Sequence, residues 1–276
     1  MNDMTDRVEA HYRATGLAER LKAALAPFGG EDHVFLPQQL AALDQFHTRG
    51  LAATAELATM IHIGRDMAVL DVGAGVGGPA RFVAATCDCR VTGIDRSEAF
   101  VEGALYLTGR TGQQDRVTFV VGDALAMPFV DASFDVVLLQ HVAMNIAARD
   151  RLYREIARVL RPGGSFATHD VVLKAGAPLY PLPWARDAES SFLMDATATC
   201  DAVEQAGFRT RARHDDSEAA KAWFDQLRAD GPPPPPNLGV VMGPEFAQFA
   251  ANLGRSLMEG RLGVLTAVFE RMGPAA

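Results

Sequence analysis

The chain has 276 residues, 49% of them hydrophobic, with a formal net charge of −8 and a pI near 5.4. That length can bury a large core and exceeds one minimal domain, so it predicts one domain carrying insertions. The acidic balance excludes a protein that grips nucleic acid over a broad basic face, though not a small local basic pocket. Cys87, Cys89 and Cys200 have no framework spacing and read as reduced thiols of a cytoplasmic protein. The N-terminal Met-Asn-Asp-Met-Thr-Asp has neither the basic nor the apolar region of a leader. No run reaches about 18 apolar residues, so no membrane span is expected.

Residues 1–63 carry helical patterns and no strand. Val8–Tyr12 and Leu17–Leu25 read as helices, broken by Pro27-Phe28-Gly29-Gly30; Gln38–Phe46 and Leu51–Met60 follow at helical spacing. From 67 to 172 strands and helices alternate. The strands are Ala68–Val72, Arg90–Ile94, Val117–Val121, Phe134–Val142 and Ser165–Val172. The helices are Pro79–Cys87, Ser97–Thr108 and Asp150–Leu160, the last expected to pair Arg151 with Glu155 at i,i+4. Such alternation means parallel strands with right-handed crossovers, and ligands then bind beyond the carboxyl ends of the strands. Asp71, Asp95, Asp123, Gln140, His141, His169 and Asp170 all fall at or near those ends.

Residues 175–194 interrupt the pattern with prolines and aromatics and read as a lid. A helix at Ala196–Ala206 and a strand at Phe208–His214 follow. A second insertion, 217–258, is expected to hold helices at Glu218–Arg228 and near Pro244–Leu257, joined by a stiff polyproline stretch at Pro232–Pro236. Residues 260–269 read as the last strand.

The centre of the pattern is Asp71-Val72-Gly73-Ala74-Gly75-Val76-Gly77-Gly78, a strand, a glycine turn and a helix start. Missing side chains let a ligand lie against backbone there. Gly73, Gly75 and Gly78 fit the dinucleotide fingerprint G-x-G-x-x-G, a weak signal alone. Asp71 with Gly73, Gly75 and Gly77 fits instead the D-x-G-x-G-x-G loop of methyltransferases that use S-adenosylmethionine (SAM).

Further segments stand in register with the second reading. Gly93-Ile94-Asp95 closes the next strand, Gly122-Asp123-Ala124 the third; Pro128-Phe129, Ser133-Phe134-Asp135 and Val159-Leu160-Arg161-Pro162-Gly163-Gly164 follow in order. Over about 61–215 the chain resembles the class I SAM-dependent methyltransferases. The resemblance implies an α/β fold: a Rossmann-like seven-stranded sheet of order 3-2-1-4-5-7-6, last strand antiparallel, with helical N-terminal and C-terminal cap insertions. It divides the chain into a helical cap, 1–63, and a SAM-binding domain, 64–276, whose insertions gather with the cap over the carboxyl edge.

It also implies site roles. Asp71, Gly73, Gly75 and Gly77 form the cofactor loop; Asp95, beside Arg96, accepts from the ribose hydroxyls; Asp123 and Ala124 meet the adenine. Arg81, Gln45, Tyr12 and Gln140 are candidates for the methionine end of SAM. Less specific stretches, Asp44-Gln45-Phe46-His47, Gln140–Ile146 and Tyr180–Ala185, resemble the sarcosine/dimethylglycine N-methyltransferase group and, more distantly, the quinone C-methyltransferases. They imply an acceptor site of His47, Asn145, Tyr180 and Trp184, with a small amine or amino acid as substrate and the two aromatics holding a cationic nitrogen. Alternatively His141 or His169 is a general base for a phenol, a quinone-like carbon or a natural product. A scaffold of this kind can also bind SAM without transferring methyl, as a binding module or cyclase. No metal is required. The expected partner is a small molecule, without nucleic acid or membrane, and a homodimer is left open.

Overall fold

The computed structural model describes residues 16–30, 32–231 and 233–273. The helix expected at Val8–Tyr12, with the candidate Tyr12, lies outside them, as does Pro232. The apolar segments between 68 and 173 become strands β1 (Ala68–Val72), β2 (Arg90–Asp95), β3 (Val117–Val121), β4 (Phe134–Gln140) and β5 (Leu160–Leu173). β6 (Phe208–Asp215) and β7 (Leu262–Arg271) complete one seven-stranded sheet of order β3-β2-β1-β4-β5-β7-β6. The β1–β2, β1–β4, β2–β3 and β4–β5 pairs are parallel, and β7 runs antiparallel to both β5 and β6. Order and direction are those expected from the sequence.

The central strands are apolar without alternation because helices cover both faces. Leu70, Val72, Val137 and Leu139 face one core, with Leu152, Ile156 and Phe166. Val69, Val91 and Leu138 face the other, with Leu57, Ala80 and Val83. The helices, in chain order, are α1 (Leu17–Leu25), α2 (Leu51–Met60), α3 (Gly78–Cys87), α4 (Glu98–Arg110), α5 (Arg149–Val159), α6 (Ala196–Gln205), α7 (Ser217–Asp230), α8 (Leu238–Met242) and α9 (Phe246–Met258). Ser97 caps α4, accepting from the Phe100 N–H at 3.3 Å. No helix among the described residues is long and apolar enough to cross a membrane.

Four local departures have physical causes. The segment 38–46 is not one helix. It makes a 3₁₀ turn, Pro37–Leu40, and a single helical turn, Ala41–Asp44, before the chain extends at Gln45. Asp44 is held there by the Arg81 guanidinium at 2.8 Å. The expected Arg151–Glu155 pair does not form. Glu155 instead binds Arg158 and the Met127 N–H, each at 2.9 Å, and Arg151 donates to the Leu125 carbonyl at 2.8 Å. β4 ends two residues early because His141 turns out of the strand with φ 53°. The second insertion holds a helix not foreseen, α8, whose Val240 carbonyl accepts from Arg20 of α1 at 3.0 Å.

Candidate active site

The glycine turn after β1 spends its own donors. Gly73 and Ala74 N–H bind the Ile94 carbonyl at 2.8 and 3.1 Å, and Gly77 N–H the Ala74 carbonyl at 2.8 Å. Gly75 N–H binds Asp95 Oδ2 at 2.8 Å. Gly73, Gly75 and Gly77 all have positive φ, the region glycine enters without strain. These bonds tie the turn to the end of β2.

The turn borders a cavity of about 1910 Å³ at the carboxyl edge of the sheet. Asp95, Arg96, Asp123, Ala124, Gln45 and Gln140 line it beside Gly73 and Gly75. Asp95 receives the Ser97 N–H on its other oxygen at 2.9 Å, which fixes the carboxylate at the cavity edge. Thr54 Oγ1 lies 3.1 Å from Gln45 Oε1 and 3.3 Å from Gln140 Oε1. The two amide nitrogens have no hydrogen-bond partner among the described residues, and Asp71 Oδ2 has none either. Buried polar atoms rarely stay unpaired. Two amide donors on the cavity wall suit the carboxylate of an amino-acid moiety. The donor set therefore fits the methionine end of SAM. Burial, then the nearby Asp95 charge, raises the Asp71 pKa to about 7.

Beside this cofactor edge three histidines gather. The ring centroids of His47, His141 and His169 lie 5.6 to 6.1 Å apart, and His141 stacks on His169. His141 and His47 line the cavity; His169 lies behind them, 1% exposed. Thr48 joins the group. Its Oγ1 is 3.2 Å from His141 Nε2 and 3.1 Å from His169 Nε2. The other His169 nitrogen, Nδ1, is 2.7 Å from Thr266 Oγ1, which donates to Asp216. His47 Nε2 lies 2.9 Å from the Gly50 carbonyl, at the start of α2. Burial, followed by the neighbouring imidazoles, holds His141 well below its ordinary pKa and lowers His47 to about 3. Burial, against a contact to Thr48 that raises it, leaves His169 at about 4. All three rings are neutral near pH 7.

Other candidates are placed differently. Arg81 does not face the cavity: it is wholly buried, pairs with Asp44, and lies 3.3 Å from the Ala104 carbonyl. Gly77 and Asp71 lie under the turn rather than on the cavity wall. Asn145 lines the cavity and donates to the Val142 carbonyl at 3.3 Å. Trp184 reaches the wall but is 1% exposed, its indole N–H donated to Ser191 Oγ at 3.0 Å. Tyr180 is not on the wall and packs against the cluster that holds Trp184. Sequence reasoning missed Thr48, Thr266 and Asp216. Thr266 faces His169 across the β5–β7 register, a relation that only the strand pairing reveals.

Residues 70–168 match the family described as a methyltransferase domain. The sterol 24-C-methyltransferase of Neurospora crassa is 40% identical over 114 residues, 41% of this chain and 30% of that protein. The chain thus spans about a third of the length of such curated relatives. Among solved structures, the [4+2]-cyclase SpnF superposes with a TM-score of 0.68 at 23% identity, covering 92% of this chain and 96% of that one. A protein provisionally named sarcosine dimethylglycine methyltransferase, from Galdieria sulphuraria, gives 0.61 at 18% identity, covering 92% and 98%. At these identities the two structures establish the shared fold. Residues 70–168 thus match a methyltransferase domain, carried on the fold that these solved structures share.

Proposed function

We propose that the chain transfers the methyl group of SAM to a large, mainly apolar acceptor at a hydroxyl or an activated carbon, with His141 receiving the acceptor's proton. The observation that carries this reading is the cavity. Drug-sized sites span about 300–1,000 Å³, whereas the cofactor edge and the space beyond it together hold about 1910 Å³ here. Beyond the cofactor edge its wall is built by Trp223, Phe224, Leu227, Leu238, Met242 and Phe246 of the second insertion. The acids on the wall, Asp95, Glu98 and Asp123, sit at the end of β2 and on the segments that follow β2 and β3, the edge assigned here to the cofactor. Among the described residues a cationic amine finds no further carboxylate on this wall, and Tyr180 and Trp184 form no open aromatic cage.

When bound, SAM supplies an electrophilic methyl on a sulfonium. The chain's residues have the remaining tasks. Gln45, Gln140 and Asp95 hold the donor's polar ends, the apolar wall excludes water and orients the acceptor, and neutral His141 accepts a proton as the new bond forms. The test is incubation with SAM and two acceptor panels, phenols and hydroxylated terpenoids or macrolactones against sarcosine and dimethylglycine. Mass spectrometry should find a gain of one methylene in the first panel. His141→Gln should lower kcat by roughly a hundredfold or more. Methylation confined to the amines and indifferent to His141→Gln would refute the reading. The likeness in fold to a cyclase favours one second reading, in which a bound polyene rearranges at unchanged mass. The same mass measurement separates the two.

A further inference from the structure

We infer that Thr48, His169, Thr266 and Asp216 form a hydrogen-bonded line that keeps His141 Nδ1 free toward the cavity and carries the proton it receives out to solvent. The inference rests on His141 acting as the base. Its ground is the direction of the contacts. Asp216 is a carboxylate and accepts the Thr266 O–H. Thr266 Oγ1 must then accept from His169 Nδ1–H at 2.7 Å. That leaves His169 Nε2 without a proton, to accept the Thr48 O–H at 3.1 Å. Thr48 Oγ1 in turn accepts from His141 Nε2–H at 3.2 Å. Each hydroxyl gives one proton and takes one. The outcome is a lone pair on His141 Nδ1, which has no hydrogen-bond partner among the described residues, in a ring that lines the cavity.

The same heavy atoms also serve the reversed line. If every proton moves one step outward, His169 Nε2 carries a proton and finds the Thr48 carbonyl at 3.2 Å. His141 Nε2 then accepts, and the Thr48 backbone N–H stands 3.4 Å from it. Neither backbone contact has a use in the first arrangement; both are satisfied in the second. The balance is simple. The acceptor's O–H or C–H bond breaks and its proton joins His141 Nδ1. One proton passes at each link, and one arrives on Asp216, whose side chain is 21% exposed and releases it to water. The acceptor's electron pair forms the bond to methyl as the sulfur–carbon bond of SAM breaks.

Long-range proton–nitrogen NMR of the imidazole rings tests the line without any acceptor. In the wild type His141 should be protonated on Nε2 and His169 on Nδ1. Thr266→Val removes the acceptor for His169 Nδ1–H. His169 should move its proton to Nε2, Thr48 should then donate to His141, and His141 should invert to Nδ1–H, although Thr266 is separated from it by two side chains. Thr266→Ser should restore the wild-type forms. Asp216→Leu should produce the same inversion by freeing the Thr266 O–H, which covers the case of a Thr266→Val protein that does not fold. His141 keeping its wild-type tautomer in a folded variant would overturn the line. With an accepted substrate, Thr266→Val should lower kcat at least tenfold at unchanged KM. Inversion of the tautomer with turnover indifferent to His141→Gln would overturn the base and leave the line standing. An unmoved tautomer with turnover dependent on His141 would overturn the line alone.

Discussion

At the scale of single residues, Asp95 shows how one carboxylate shapes a loop and offers a ligand site together. Its two oxygens take the N–H groups of Gly75 and Ser97 at 2.8 and 2.9 Å, joining the glycine turn to the start of α4. Burial raises its pKa, and the backbone bonds pull it back. Hydrogen bonds to charged groups contribute about 1.5–3 kcal/mol each, so in the ribose-binding role proposed for Asp95 the loss of one bond weakens binding roughly 10- to 150-fold. Asp95→Ala should therefore cost at least about tenfold in SAM affinity by calorimetry, with far-UV circular dichroism unchanged. Equal affinity in the variant would remove Asp95 from the cofactor site. The place of Asp95 on the cavity wall was legible from sequence because an acid closing the strand after a glycine turn is a local signal. Thr48 was not. It is a single hydroxyl between His47 and Arg49, and its role exists only because β4 and β5 bring His141 and His169 to it.

At the scale of elements, the segment Ala41–Asp44 is fastened to α3 by a buried ion pair. Arg81 is 0% and Asp44 3% exposed, and their contact is 2.8 Å. This pair sets where the chain leaves its helical turn, and so where Gln45, His47 and Thr48 enter the site. Removing one partner of a buried pair strands the other charge, which typically costs about 3–5 kcal/mol. Urea denaturation of Arg81→Met should show a loss in that range. Arg81→Met should also disturb Gln45, so SAM affinity should fall although Arg81 does not line the cavity. A loss below about 1 kcal/mol, the size of an exposed pair, would contradict the buried arrangement. Elements of the sheet were legible because their signal is local: apolar runs, turn glycines and capping residues. α1 and α2 have the bounds expected of them, Leu17–Leu25 and Leu51–Met60. The segment 38–46 was misread because its apolar spacing is helical while a distant arginine decides where it stops. Arg81 itself read as a cofactor ligand because it lies one turn into the helix after the glycine loop; its partner is 37 residues away and no local pattern links them.

At the scale of the whole molecule, the buried titratable groups pull stability in opposite directions with pH. His47, His141 and His169 have folded pKa values below their ordinary ones. The unfolded chain therefore binds protons near pH 6.5 that the folded chain refuses, and the histidines' contribution is lost as pH falls toward their folded values. Asp71 and Asp170 are raised by burial to about 7 from 3.8. Their contribution runs the other way: it is present in acid and lost as pH rises toward 7. A plain stability–pH curve mixes both trends, so the sign is better read from one residue by difference. His47, lowered to about 3, is suited to this because its ring contacts the Gly50 carbonyl at the head of α2. At pH 7.5 it is neutral in both states, and His47→Gln should be less stable by the value of the lost contacts. At pH 5 the wild type bears an added cost of about 2 kcal/mol, because only its unfolded state is protonated there. The variant does not bear this cost. The gap between the two proteins, measured by urea unfolding, should therefore close by about 2 kcal/mol between pH 7.5 and 5. A gap that stays constant would mean that His47 takes up its proton in the folded protein, and that the imidazole cluster is wetter than its burial indicates.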